Sequence, residues 1–128
     1  MHRKELVKLL VLDAISDDFE NVDQAILQDV RELGHKCGLI IERPEIVEAL
    51  RGLVDDGLAK AYDLTRCVDP FSGELPGMPP LDALEEYFRT YFYITKKGRE
   101  AHSDDSWWPF EDVDDELQLR RDWKLSEE

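Results

Sequence analysis

Glu48-Ala49-Leu50-Arg51-Gly52-Leu53-Val54-Asp55-Asp56-Gly57-Leu58-Ala59-Lys60 is the stretch that decides the fold. Leu50, Leu53 and Val54 recur at helical spacing and continue the inner face begun by Ile46 and Val47. Gly57 stands where a Schellman stop would set Leu58 against Leu53. The stretch therefore reads as an amphipathic helix that ends at a glycine and runs directly into a strand, Leu58 to Leu64. Pro44 is expected as the first residue of that helix, where its missing N–H is not needed. Glu45, Glu48, Ala49, Arg51, Gly52 and Asp55 are expected on its exposed face. A second phrase, Tyr93-Ile94-Thr95-Lys96-Lys97-Gly98-Arg99-Glu100, reads as a strand that ends at a threonine cap and opens another helix.

Upstream, Arg3 to Ile15 has only Lys8 and Asp13 as polar residues after its first turn. A helix apolar on nearly every side is buried centrally or shared with a partner, so burial under the other helices and a homodimer seam are the two readings. Ser16-Asp17-Asp18 breaks it, and Asn21 with Gln24 three residues later resembles a capping box. Val22, Ala25, Ile26, Val30 and Leu33 then form one stripe at helical spacing, with Gly34 expected to supply the stop. Gly38-Leu39-Ile40-Ile41 reads as a strand or a buried connection. Phe88 to Ile94 alternates as a strand, with Phe88, Phe92 and Ile94 on one face and Arg89, Tyr91 and Tyr93 on the other. The 22 residues from Arg66 to Tyr87 far exceed a hairpin loop, and Pro79-Pro80 before Leu81 predicts a short helix inside this insertion.

The order helix, helix, short apolar link, helix, strand, long wing, strand resembles the winged-helix regulators, closest in character to the MarR and PadR families. Two phrases carry the likeness. Leu50-x-x-Leu53-Val54-Asp55-Asp56-Gly57-Leu58 is similar to the family's helix-to-strand corner, and Tyr93-x-Thr95-x-x-Gly98-Arg99-Glu100 is similar to the end of its wing. The resemblance implies a mainly α fold with a small β-hairpin (α+β): a winged-helix domain over residues 1–102, with an extended wing insertion at about 66–87. An acidic, aromatic-containing C-terminal tail then occupies residues 103–128. It further implies a third helix that enters the major groove of DNA and a wing tip that touches phosphate. Arg43, Arg51, Arg66 and Arg89 are the candidate nucleic-acid contacts.

Thirty acids against sixteen bases give a formal net charge of −14. Lys and Arg neutralising phosphates supply most of the affinity for nucleic acid, so the mean field of this chain repels DNA. Glu45, Glu48 and Asp55 lie on the would-be groove helix, and Asp69, Glu74, Asp82, Glu85 and Glu86 lie in the insertion. The expected function is therefore a non-enzymatic winged-helix protein acting as a regulatory protein-interaction module, with a protein partner or a second copy of itself. The alternative is a dimeric DNA-binding regulator in which the four arginines gather into a local positive stripe. A distant third is an enzyme using acidic wing residues.

The candidate interaction residues are aromatic. Tyr91 and Tyr93 read either as partly covered members of the strand or as an exposed patch, since aromatics are favoured at protein interfaces. Trp107, Trp108 and Phe110 in the tail, with Trp123 further on, either staple the tail to its own domain or serve as a ligand for a basic groove. From Asp112 to Leu125 a short helix is expected, anchored by Val113, Leu117 and Trp123. His35, Cys37, Cys67 and His102 show no recurring zinc spacing, so both cysteines read as structural thiols, with no metal and no cofactor. No apolar run approaches a membrane span and Met1-His2-Arg3-Lys4-Glu5 opens no signal peptide, so a cytoplasmic location without membrane contact is expected.

Overall fold

The computed structural model describes residues 1–65, 69–85 and 89–125. Within them the chain runs α1 (Arg3–Ala14), α2 (Leu27–Lys36), α3 (Arg43–Asp55), β1 (Ala59–Asp63), α4 (Leu81–Glu85), β2 (Thr90–Ile94), α5 (Lys96–Ser103), β3 (Phe110–Val113) and β4 (Glu116–Leu119). It is a small α+β fold with two antiparallel strand pairs. Helix α1 lies at its centre, packed by α2, α3 and α5, and Leu6, Leu10, Val11 and Leu12 are wholly buried. Intramolecular packing thus accounts for a helix apolar on nearly all sides. Among the described residues no helix is long and apolar enough to cross a membrane.

The two phrases that dominate the sequence meet in space. At the end of α3, Leu58 N–H donates to the Leu53 carbonyl at 2.8 Å and Gly57 N–H to that of Val54 at 3.1 Å, with Gly57 at φ +75°. This is the bond pair of a Schellman stop. The Thr95 hydroxyl caps α5 by accepting from Gly98 N–H at 3.0 Å, and it donates to the Gly57 carbonyl at 2.7 Å. Thr95 N–H donates to the Leu58 carbonyl at 3.0 Å, and Lys97 Nζ to that of Asp56 at 2.9 Å. The stop of one helix is therefore bonded to the start of another. Gly98 lies so close to the Leu58 carbonyl that there is no room for a Cβ.

Strands β1 and β2 pair with Ala59 opposite Ile94, Ala61 opposite Phe92 and Asp63 opposite Thr90. The small alanines leave space for Phe92 and Ile94, which reach the core with Thr90 beside them. Neither edge of this hairpin is bare. Glu20 exchanges both backbone hydrogen bonds with Phe92, at 3.0 and 2.8 Å, while Leu75 N–H donates to the Ala61 carbonyl at 2.9 Å and Glu74 bridges Tyr62. Covered edges resist pairing with another chain's strand. The insertion is thus folded back along the hairpin: Glu74 and Leu75 lie on its edge, and Ala83 and Leu84 of α4 are buried.

Several expectations are corrected. Helix α2 does not stop at Gly34 but continues to Lys36, and its left-handed stop is Gly38 at φ +79°. Gly34 instead faces Ile41, whose side chain fills the space a Cβ would take. The start of α2 is a π turn, Val22–Ile26, capped as expected by Asn21 Oδ1 accepting from Gln24 N–H at 2.9 Å. The segment before α3 is no strand; it is a connection that buries Ile41 and leaves Ile40 77% exposed. Helix α3 begins at Arg43, which puts Pro44 second rather than first, and Ala49 is buried because α1 packs across it. The helix expected over Asp112 to Leu125 is a hairpin, β3–β4. Asp114 and Asp115 take φ of 54° and 66°, a two-residue turn that suits paired strands and ends any helix.

Candidate interaction surfaces

Three of the four arginines expected to form a positive stripe are each paired with a carboxylate. Arg43 grips Asp23 with Nε at 2.8 Å and Nη2 at 3.3 Å, a bond that holds its guanidinium above its ordinary value. Arg51 pairs with Glu48 at 3.4 Å on the same helix, and Arg89 with Asp63 at 3.3 Å. Arg66 lies outside the described residues. Each pair is worth little in stability, but each cancels a charge that phosphate contact would need. The insertion does not extend an arm toward a ligand. Its Leu75 to Pro80 segment closes a hollow of about 340 Å³ with Asp63, Asp82 and Arg89 on the wall. There Thr65 and then Arg89 hold the Asp63 carboxyl below its usual range, the opposite of what a general acid needs at neutral pH.

Between α1 and α3 runs a groove of about 810 Å³ whose floor includes Val7 and Ala49. Arg3 reaches across it to Glu45 at 2.9 Å, and Lys8 passes over Gly52 to Asp56 at 3.1 Å. Gly52 makes that crossing close, since a Cβ there would meet Lys8 Cε at 3.0 Å.

The outer face of the β1–β2 hairpin is aromatic. Tyr62 and Tyr93 lie there, and two phenylalanines from outside the hairpin close over them. Phe19, from the α1–α2 connection, stands 5.0 Å from Tyr62 and 4.7 Å from Tyr93 between ring centroids. Phe71, on the 3-10 turn Pro70–Gly73, stands 5.2 Å from Phe19 and 6.0 Å from both tyrosines. The contacts among Phe19, Tyr62 and Phe71 are edge to face and those to Tyr93 tilted, and edge-to-face contacts at such distances add to simple burial. Arg99 completes the group, its guanidinium 5.3 Å above the Tyr93 ring and its Nη2 donating to the Tyr93 hydroxyl at 2.5 Å. Tyr62 is only 5% exposed, whereas Phe71 is 56% exposed. Tyr91 stands opposite Tyr62 in the register and is half-buried. Sequence reasoning misses Phe19 and Phe71 because both sit in irregular segments, where periodicity carries no information. The available signal is a phenylalanine set directly after turn-forming residues, Asp17-Asp18 and Asp69-Pro70.

The tail aromatics are docked on the body. Phe110 is 3% exposed and belongs to the main core, while Trp107, Trp108, Leu117 and Trp123 are partly buried against it. Trp107 and Trp108 meet edge to face at 5.3 Å, and Trp108 meets Phe110 at 5.1 Å. Lys36 Nζ donates to the Leu117 carbonyl at 3.1 Å, tying the hairpin to the end of α2. Cys37 is half-buried, and burial pushes its thiol up to about 11, so little reactive thiolate forms near neutral pH. Cys67 lies outside the described residues. His102 Nε2 lies 2.8 Å from Asp13 Oδ1, which joins α5 to α1. Comparison of the chain with protein-family models, with curated proteins and with solved structures gave no match.

Proposed function

We propose that this chain is a non-enzymatic, winged-helix-type module that works in a cytoplasmic regulatory setting by binding another protein. Its partner-facing surface is the aromatic outer face of the β1–β2 hairpin. The observation that carries this reading is Phe71, a large apolar side chain held 56% exposed at the top of a packed ring cluster. Aromatic anchors surrounded by polar rims dominate the energetics of protein interfaces, and Phe71 has that setting. The element order and the bonded corner at Gly57 and Thr95 support the winged-helix type. The pairing of Arg43, Arg51 and Arg89 to carboxylates weighs against a DNA-binding role.

Phe71→Ala removes a side chain that is already largely in water, so the variant should lose less than about 1 kcal/mol of stability. It should nevertheless lose bound partners. Affinity purification from the native host, comparing the wild type with Phe71→Ala by quantitative mass spectrometry, is the test, and an unchanged set of co-purifying proteins would remove the support for this surface. A companion measurement is fluorescence anisotropy with mixed-sequence duplex DNA at low salt, where no binding is expected. Tight binding that falls steeply with added salt would favour a DNA-binding regulator instead.

A further inference from the structure

The groove between α1 and α3 carries seven charged side chains, and five of the seven are held in ion pairs. Arg3, Glu45, Glu48 and Arg51 are paired with one another, and Lys8 is paired with Asp56. That leaves Lys4 on α1 and Asp55 on α3, both exposed, with no ion-pair partner among the described residues. One wall thus presents a free cation and the other a free carboxylate, over an apolar floor. A surface of that kind is complementary to itself, because a two-fold axis passing between the two residues exchanges them.

We propose that this groove is the contact between two copies of the chain, with Lys4 of each copy paired to Asp55 of the other. The site is separate from the aromatic face and does not depend on the reading given for it. Net charge is compatible with the location: two chains of −14 repel each other, and the approach costs less where bases are not outnumbered. The groove wall holds four bases against three acids. Apolar surface is at hand as well. Ile40, the most exposed large hydrophobic residue among those described, is fixed at the rim because its carbonyl accepts from Arg3 Nη2 at 2.6 Å. Two exposed ion pairs add little affinity by themselves; they set register, while Ile40, Pro44 and the aliphatic stems of the wall side chains supply the buried area, Val7 and Ala49 being covered already.

Charge reversal tests the contact in a way that net charge cannot imitate. Lys4→Glu makes each chain more acidic and Asp55→Lys makes it less so, yet both place like charges opposite each other, twice per dimer. Each should weaken dimerisation at least about tenfold. The double variant Lys4→Glu with Asp55→Lys restores opposite charges at both contacts and should return to within about threefold of the wild type. Neither change harms the monomer, since an acid at the start of α1 and a base at the end of α3 both suit the helix dipoles. Sedimentation over a concentration series at physiological salt reads the result, with Glu111→Lys at an exposed position of the tail hairpin as a control of equal charge change. A wild type that stays monomeric throughout, a dimer indifferent to the single reversals, or an Asp55→Lys dimer strengthened like the control would each overturn the proposal. Phe71→Ala should leave the dimer intact, so the two surfaces fail or succeed separately.

Discussion

Gly98→Ala is expected to lower the melting temperature by roughly 10 °C, the effect of losing about 2 to 3 kcal/mol from a domain of this size. An added methyl would fall on the Leu58 carbonyl and against Ile94 Cγ1. The first of these is main chain and cannot swing aside. Backing α5 away would stretch the Thr95 hydroxyl bond to the Gly57 carbonyl and the Thr95 N–H bond to Leu58, so the damage reaches the end of α3. Alanine's better helix propensity returns about 1 kcal/mol and does not offset the clash. Gly52→Ala isolates the cause. It is also a glycine within a helix, but the atoms its methyl would meet are the flexible end of Lys8, so its stability should change by less than about 1 kcal/mol in either direction. Calorimetry of both variants is the measurement. If Gly98→Ala melts with the wild type, or if Gly52→Ala falls as far, the interlocked corner does not have the rigidity assigned to it.

The same corner shows why part of this fold is legible in the sequence. A glycine stop, a threonine cap and alternating apolar residues are local devices, and each states its geometry within a few positions of the chain. The Schellman bonds at Gly57, the cap at Thr95, the capping bond at Asn21 and the buried face of β2 all follow from such devices. What fails is what depends on a distant neighbour. Gly34 looks like a stop until Ile41 is seen packed against it, and Ala49 looks exposed until α1 crosses it. The fold-back of Glu74 and Leu75 onto β1 is a pairing across a long insertion, which no local pattern encodes. The surfaces divide in the same way. Tyr93 can be picked out by alternation, but Phe19 and Phe71 reach it from two other segments, and the pairing of Arg43 to Asp23 crosses from α3 to the start of α2. Composition gives the total charge. It is silent on which carboxylate meets which arginine.

Phe110→Ala should release the tail while leaving most of the body folded. Truncating a buried phenylalanine costs about 3 to 5 kcal/mol when the structure cannot relax around the loss. Here it can relax, because β3–β4 is a two-stranded hairpin with little else to hold it. Among the described residues its direct hydrogen bond to the body is that of Lys36 to the Leu117 carbonyl. An isolated hairpin of this kind is marginal in water, so once Phe110 no longer anchors it the tail should undock as a unit. The loss of global stability is then capped at the free energy of docking, and the larger signal is local. Tryptic cleavage at Arg120 and Arg121 should quicken about a hundredfold, as expected for some 3 kcal/mol removed from a local opening equilibrium. Amide exchange should rise alongside it across residues 110–119 but not in α1. Trp123→Ala, at a half-buried position, should move both readouts less. The opposite pattern, with cleavage unchanged while the whole protein melts several degrees earlier, would mean that the tail unfolds only with the core and is an integral part of it.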